Sequence, residues 1–330
     1  MDQSAPSIIP DVTFSAKGKE TVKLRFNGRL HLDYNSLSND VGDLESSNTF
    51  YFRRLRLGVK ATLGNDWTAE TVYDFAGEDI KVDKAVAGFG DFKFGYQKVP
   101  FGFQENTSSA KIKTIERSAA NRFFADDLDF SGRHNGIHYK TKLGGGFSFA
   151  AAGVSAEQDI NDGNDSNELS YFGRLQWKNE GLTVGVDYGS ESDFDSGSFD
   201  AYTAYVNYKV GGLYLLGEYF DGEGGDAGAE ADGYSLMAAY KFDKWEPVVR
   251  YSYLEVGDDF AVDTDDLIRR APDNLNVLGG EVSSLYVGVN YYYSESVKFM
   301  LGYEWAEVED QGGVEQDDIH GVRARLQLLF

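Results

Sequence analysis

The residues best equipped for chemistry in this chain are cations crowded into three short stretches. K-L-R-F-N-G-R-L-H-L-D-Y carries Lys23, Arg25, Arg29 and His31; F-Y-F-R-R-L-R-L-G-V-K carries Arg53, Arg54, Arg56 and Lys60; and the end, V-R-A-R-L-Q-L-L-F, carries Arg323 and Arg325. A guanidinium binds carboxylate or phosphate through two parallel hydrogen bonds, and rings of arginine or lysine line anion pores. The chemistry implied is anion binding or passage. In the blander alternative these cations pair with acids such as Asp33, Glu70, Asp74 and Glu304 and merely hydrate a channel. Signals for bond-making are missing. His31, His134, His138 and His320 show no zinc spacing, there is no cysteine, and no G-x-S-x-G exists. No loop has the spaced acidic pattern of a calcium EF-hand, and the glycine-rich stretch at Gly222 is not followed by a helix, so it reads as a loop and not a phosphate cradle. No enzyme, cofactor, metal site or nucleic-acid partner is expected.

The elements that carry these cations alternate. In Thr21–Tyr34, Val22, Leu24, Phe26, Leu30, Leu32 and Tyr34 occupy one parity and Lys23, Arg25, Asn27, Arg29, His31 and Asp33 the other. The same period of two runs through Leu169–Lys178, Glu246–Glu255, Val297–Trp305 and the last strand, which marks β-strands. The apolar parity is nearly free of charge, and the polar parity carries more Lys and Arg than a packed core holds. A soluble sandwich would have to expose rows of Leu, Phe and Tyr to water. A membrane barrel, apolar outside and polar inside, fits both faces.

Composition agrees. The 330 residues include 38 Gly, 21 Tyr and 23 Phe but only 5 Pro. No apolar run approaches the roughly 20 residues of a spanning helix. The first twenty residues lack an apolar signal core, which fits a mature chain. Short turns at Gly64, Gly144, Asn179, Gly211, Asp243 and Ser294 alternate with longer connections, most of them acidic, such as those from Glu157, from Asp221 and between Val256 and Gly280. One exception is the short G-E-D at Gly77. Aromatics near strand ends (Tyr34, Tyr73, Phe75, Trp177, Tyr188, Tyr219, Tyr303, Trp305) are expected to form two interfacial girdles. The acids dominate a net charge of −23; they could bridge divalent cations to lipopolysaccharide phosphates, steer cations, or only solubilise.

Two features refine the lumen. Arg53 breaks the alternation beside Arg54, so either it snorkels at headgroup level or a bulge turns both inward; an outward arginine at mid-bilayer would cost about 2–4 kcal/mol. The connection 100–132 is the longest and the least acidic of the long ones, with Lys111, Lys113, Arg117 and Arg122 against Glu105, Glu116, Asp126, Asp127 and Asp129. It is a candidate for folding into the pore.

N-G-R-L-H-L-D-Y at Asn27, F-R-R-L-R-L-G at Phe52, D-W-T-A-E-T-V-Y-D-F at Asp66, K-V-P-F-G-F at Lys98, T-S-S-A-K-I-K-T-I-E-R-S at Thr107 and G-V-N-Y-Y at Gly288 resemble the phosphate-selective porin O and P family, as does the R-A-R-L-Q-L-L-F end. The resemblance implies a sixteen-stranded outer-membrane barrel, usually trimeric, with the third loop inside. It also implies a central anion site whose matching positions here are Arg29, Arg53, Arg54, Asp83, Ser108, Ser109 and Arg117. Departures are Glu105 and Ala110 where phosphate-specific members place lysines, and Arg56 and Lys98 where they place tyrosines. Their arginine ladder in the fifth loop is replaced by Glu191, Asp193 and Asp195.

The reading is an all-β transmembrane antiparallel barrel of about 16 strands, with short periplasmic turns and long acidic extracellular loops. Residues 1–20 form an N-terminal periplasmic segment, 21–330 the single barrel domain, and 100–132 the constriction loop. The function is passive diffusion of small hydrophilic solutes, with modest preference for anions such as phosphate. The constriction comprises Arg29, Arg53, Arg54, Arg56, Asp83, Lys98, Glu105, Ser108, Ser109, Lys111, Lys113 and Arg117; Lys23, Arg25, Lys60, Arg323 and Arg325 form a basic lumen wall. Partners are small anions, outer-membrane lipid and lipopolysaccharide, and two further copies of the chain. The rival readings are a non-conducting barrel serving as adhesin or surface scaffold, and a general or cation-preferring porin.

Overall fold

The structure is a computed structural model describing residues 12–15, 21–41, 46–64, 66–130, 132–156, 160, 168–194, 197–225, 229–272 and 276–330. Its strands are β1 (Val12–Ser15), β2 (Thr21–Asn39), β3 (Ser46–Leu63), β4 (Trp67–Asp74), β5 (Lys81–Phe89), β6 (Phe92–Lys98), β7 (Arg133–Gly144), β8 (Phe147–Ser155) and β9 (Leu169–Asn179). The remainder are β10 (Leu182–Phe194), β11 (Gly197–Val210), β12 (Leu213–Gly224), β13 (Ala229–Tyr240), β14 (Trp245–Asp263), β15 (Asn276–Tyr292), β16 (Val297–Glu309) and β17 (Glu315–Leu329).

Each strand from β2 onward pairs antiparallel with the next, and β17 returns to β2, from Ile319 opposite Asn39 to Leu329 opposite Arg29. Sixteen strands thus close the barrel and leave no open edge in the hydrocarbon. Below the point where β17 stops, β1 takes up the same edge of β2, pairing with Thr21–Leu24. The final residue completes the seam: Gly28 N–H donates to the Phe330 carbonyl (2.6 Å) and Phe330 N–H to the Gly28 carbonyl (3.1 Å). The Phe330 ring covers Gly28, where a Cβ would stand 2.1 Å from a ring carbon.

The six short turns read from the sequence all join strands at one end, together with a seventh at Gly90–Asp91. At the other end two of the expected long acidic loops, those from Asp221 and after Val256, are shorter than anticipated, while the one from Glu157 keeps its length between Ser155 and Leu169. β12 continues to Gly224, β13 resumes at Ala229, and β14 runs to Asp263. Beyond the hydrocarbon the outward positions turn acidic (Asp221, Glu223, Glu230, Asp232) while inward Phe220, Ala229 and Ala231 are buried in an apolar cluster, so the barrel's apolar-out, polar-in parity reverses while the backbone ladder continues. Residues 157–159, 161–167, 195–196 and 226–228, which hold other parts of these acidic stretches, lie outside the described residues.

The outer face is apolar; Phe50 and Leu301 are 74% and 52% exposed. Its upper limit is marked chemically. Tyr219 and Tyr253 each donate a hydroxyl hydrogen bond to an acid two residues on, Asp221 (3.0 Å) and Glu255 (3.2 Å), and Tyr188 reaches Asp200 (3.1 Å). Aromatic rings with one polar end suit the membrane interface, and a carboxylate on the outward face just above them can only be in water.

The connection 99–132 runs inside the barrel. It contains the one-turn helices α1 (Phe103–Asn106) and α2 (Ala119–Arg122) and a π-turn over Phe123–Asp127. Two apolar clusters hold it. Near the long-connection end, Phe123, Phe124 and Phe130 pack with Phe199, Phe220, Leu254 and Phe260, and with Leu267 of α3 (Thr264–Leu267). Lower down, Ile115 packs with Leu216, Met237, Tyr286 and Met300. Full burial of each such side chain contributes about 1.5–3 kcal/mol. The loop therefore fills the lumen against β11–β17 and leaves the open path against β3–β7.

Candidate ion constriction

Two β-bulges supply the residues that strict alternation would misplace. Across β2 and β3, His31 pairs with Arg54 and Leu32 with Phe52, so Arg53 is the extra residue and points inward beside Arg54. Across β4 and β5, Val72 pairs with Lys84 and Tyr73 with Val82, which leaves Asp83 as the extra residue. A bulge re-aims a side chain at the cost of one ladder position. Of the two escapes open to Arg53, the structure takes the bulge.

The inserted loop is fastened by donors from the wall. Arg250 donates to the Thr114 hydroxyl (3.3 Å) and the Glu116 carbonyl (2.7 Å), Asn290 to the Lys113 carbonyl (2.8 Å), and Lys298 to the Ile112 carbonyl (3.2 Å). Gln327 donates to the Ala110 carbonyl (3.2 Å). At the start of the loop, the Glu218 carboxylate accepts the N–H groups of Phe103 and Gln104, and Arg174 donates to the Gly102 carbonyl (3.2 Å). The Glu116 carboxylate joins the loop to two strands, with Arg53 at 2.8 Å and Arg325 at 3.0 Å. Burial by itself would raise this carboxyl, but Arg53, Arg325 and Arg269 outweigh it and hold it well below the usual range.

This corrects the basic wall read from the sequence. Arg323 and Arg325 lie under the loop, 1% and 2% exposed, and are consumed by Glu304 (2.5 Å) and by Asp33 (2.6 Å) with Glu116. Lys23, Arg25 and Lys60 sit at the short-turn end, where Arg25 faces Lys60 and Lys60 faces Glu70 across the ladders. More cations share that end: Lys113 and Lys209 flank the Tyr214 ring at 5.3 and 5.2 Å, and Lys241 and Lys298 the Tyr292 ring at 4.2 and 5.8 Å. Lys113 also pairs with Glu246 (2.5 Å), and Lys111 is exposed on the loop.

Between the loop and β3–β7 lies a cavity of about 290 Å³. It is lined by eight cations, Arg53, Arg54, Arg56, Lys98, Arg117, Arg122, Arg133 and Arg269, and four acids, Glu105, Asp126, Asp127 and Asp266. The carboxylates are shared. Asp83 meets both Arg56 (2.7 Å) and Arg133, and Glu105 meets both Lys98 and Arg117 (3.0 Å). Arg122 pairs with Asp126 at 3.2 Å. Arg54 and Arg269 have no carboxylate partner among the described residues, and each keeps a buried Nε without an acceptor. Beside them, Arg29 spans the Ser109 and Ser108 hydroxyls at 2.5 and 2.9 Å. Burial lowers Arg117 to about 10, and burial with Arg122 and Arg53 lowers Arg269 to about 10. Both stay charged at neutral pH. The arrangement concentrates uncompensated positive charge where water is confined, which strengthens its field on a passing ion.

The expected Arg29, Arg53, Arg54, Arg56, Asp83, Lys98, Glu105, Ser108, Ser109 and Arg117 therefore lie together. Arg133 and Arg269 escaped the sequence reading. Arg133 is the first residue of β7 and Arg269 lies in the turn after α3, and at neither place does alternation give a direction.

The sequence profile of the phosphate-selective porin O and P family matches residues 24–192 and 195–330. Among solved structures, the anion-selective porin from Comamonas acidovorans superposes with a TM-score of 0.70 at 16% identity, covering 94% of this chain and 100% of that one. The loop L8 deletion mutant of OmpT, an outer membrane protein of Vibrio cholerae, gives 0.68 at 14% identity over 94% and 99%. The outer membrane channel DcaP of Acinetobacter baumannii gives 0.67 at 14% identity over 96% and 99%. No curated protein matches the chain.

Proposed function

Because this chain belongs to the phosphate-selective porin O and P family of outer-membrane channels, we propose that its constriction admits small hydrophilic solutes by diffusion and favours anions. The observation that carries this reading is the cavity with eight cations and four acids, two of whose guanidiniums have no carboxylate partner among the described residues. The remote acids of the outer rim act against it. Exposed charges are screened over about 8 Å at physiological ionic strength, whereas the cavity's cations are confined and close to the ion's path.

Phosphate binds weakly on this reading, because Glu105 and Asp83 already occupy four of the cations and offset two of their charges. Replacing Arg54 and Arg117 together by Ala should shift permeability toward cations; unchanged selectivity in that double variant would remove the cavity from the account. The channel works as a trimer, a reading supported by the family and by a trimer form among the OmpT structures of Vibrio cholerae. Mass in mild detergent tests it, and a single-barrel mass near 36.6 kDa would contradict it. The N-terminal segment lies on the periplasmic side, a reading supported by the pairing of Val12–Ser15 with the short-turn end of β2; residues 1–11 and 16–20 lie outside the described residues. The outer rim contacts lipopolysaccharide.

A further inference from the structure

Glu105 is the acid most deeply committed to the cavity. It is 7% exposed, and its two oxygens serve different cations, one Lys98 and the other Arg117. Each cation also has an anchor other than that carboxylate. Arg117 also donates to the Gln104 carbonyl (3.0 Å) and the Thr107 carbonyl (3.1 Å), and Lys98 to the Glu105 main-chain carbonyl (3.3 Å). These main-chain contacts do not require the side chain's charge. The carboxylate thus bridges two anchored cations in a cavity that also holds Arg54, which has no carboxylate partner among the described residues. A bridging carboxylate has the charge and the two-oxygen geometry with which a free oxyanion would meet the same groups.

We propose that Glu105 is a specificity determinant that acts as a tethered occupant of the oxyanion position between Lys98 and Arg117. Tethering gives it a high effective concentration, so a free oxyanion must displace it to be held. A monovalent ion passing Arg54 need not. The pore then conducts small anions without retaining phosphate. This rests on the anion-preferring reading above.

The test is conductance of the full chain in planar bilayers, with inorganic phosphate titrated against chloride current. In Glu105→Gln the side chain keeps its size but loses its charge. Block should appear at a phosphate concentration at least tenfold lower than in the wild type, with a higher anion-to-cation permeability ratio. Glu105→Asp keeps the charge but is too short to bridge both cations, and should show an intermediate block. If Glu105→Gln matches an anion-preferring wild type within twofold in both measurements, the proposal is wrong. If Glu105→Gln is blocked but Glu105→Asp behaves as wild type, charge alone is responsible and the bridging position is overturned. A cation-preferring wild type would instead defeat the underlying reading before any variant is compared.

Discussion

Arg53 meets Glu116 at 2.8 Å, joining a bulged residue of the barrel wall to the middle of the loop that narrows the pore. The same carboxylate accepts from Arg325, whose side chain is fully buried. Removing one partner of a buried ion pair leaves the other charge uncompensated, at about 3–5 kcal/mol. Glu116→Ala should therefore loosen the loop while the barrel, held by its ladders and closed seam, still forms. The expected signature is a larger, noisier single-channel conductance in a barrel that still folds. Quiet wild-type conductance would show that the apolar clusters alone hold the loop.

Acid should act through the same group. Arg53 and Arg325 depress Glu116 below its unfolded value, so its contribution is present above the ordinary carboxylate range and is lost as pH falls through the depressed value. Channel noise should stay constant from pH 7 to about 4.5 and rise only in stronger acid. A rise centred near pH 6 would point to a different group.

The loop's support reaches back to a bare backbone position. The Tyr286 ring covers Gly302, where a Cβ would stand 2.2 Å from the phenol oxygen, and Tyr286 lies 5.7 Å from the Arg250 guanidinium that grips the loop. Tyr286 is 1% exposed and cannot swing clear. Gly302→Ala should destabilise the barrel by about 1–3 kcal/mol through overpacking, measured by urea titration of the folded fraction. A neutral result would mean that the ring has another place to go.

On the lipid face, Leu301→Arg should cost about 2–4 kcal/mol if the position lies at mid-bilayer. Lumenal Ser148→Arg, near the short-turn end, should be tolerated. Equal tolerance would contradict the membrane-facing assignment. Gln327, although lumenal, is not a neutral control, because its amide holds the Ala110 carbonyl.

The barrel was legible because hydrocarbon outside and water inside impose period two on every strand. The cations of the constriction were legible for a related reason: a charge on the polar parity has nowhere else to point. The bulge at Arg53 was readable as a fault in that pattern. At Asp83 the fault is hidden, because Lys81, Asp83 and Lys84 leave the parity ambiguous. Alternation says that Arg323 and Arg325 face inward, but not that a loop lies over them. That depends on contacts between residues more than 200 positions apart, such as Arg325 and Glu116. Strand ends were misjudged where Asp221 and Asp232 pair above the membrane, because there the acids face outward and the apolar residues, Phe220 and Ala231 among them, face inward, the reverse of the barrel's parity.

The most direct test of an anion-preferring constriction is the reversal potential of the wild-type channel across a chloride gradient, at low and at high salt. The account predicts modest anion preference that grows as salt screens the acidic rim and leaves the confined cations in control. Cation preference at both salt concentrations would contradict it, and would give control of the pore to the rim or to Asp83 and Glu105.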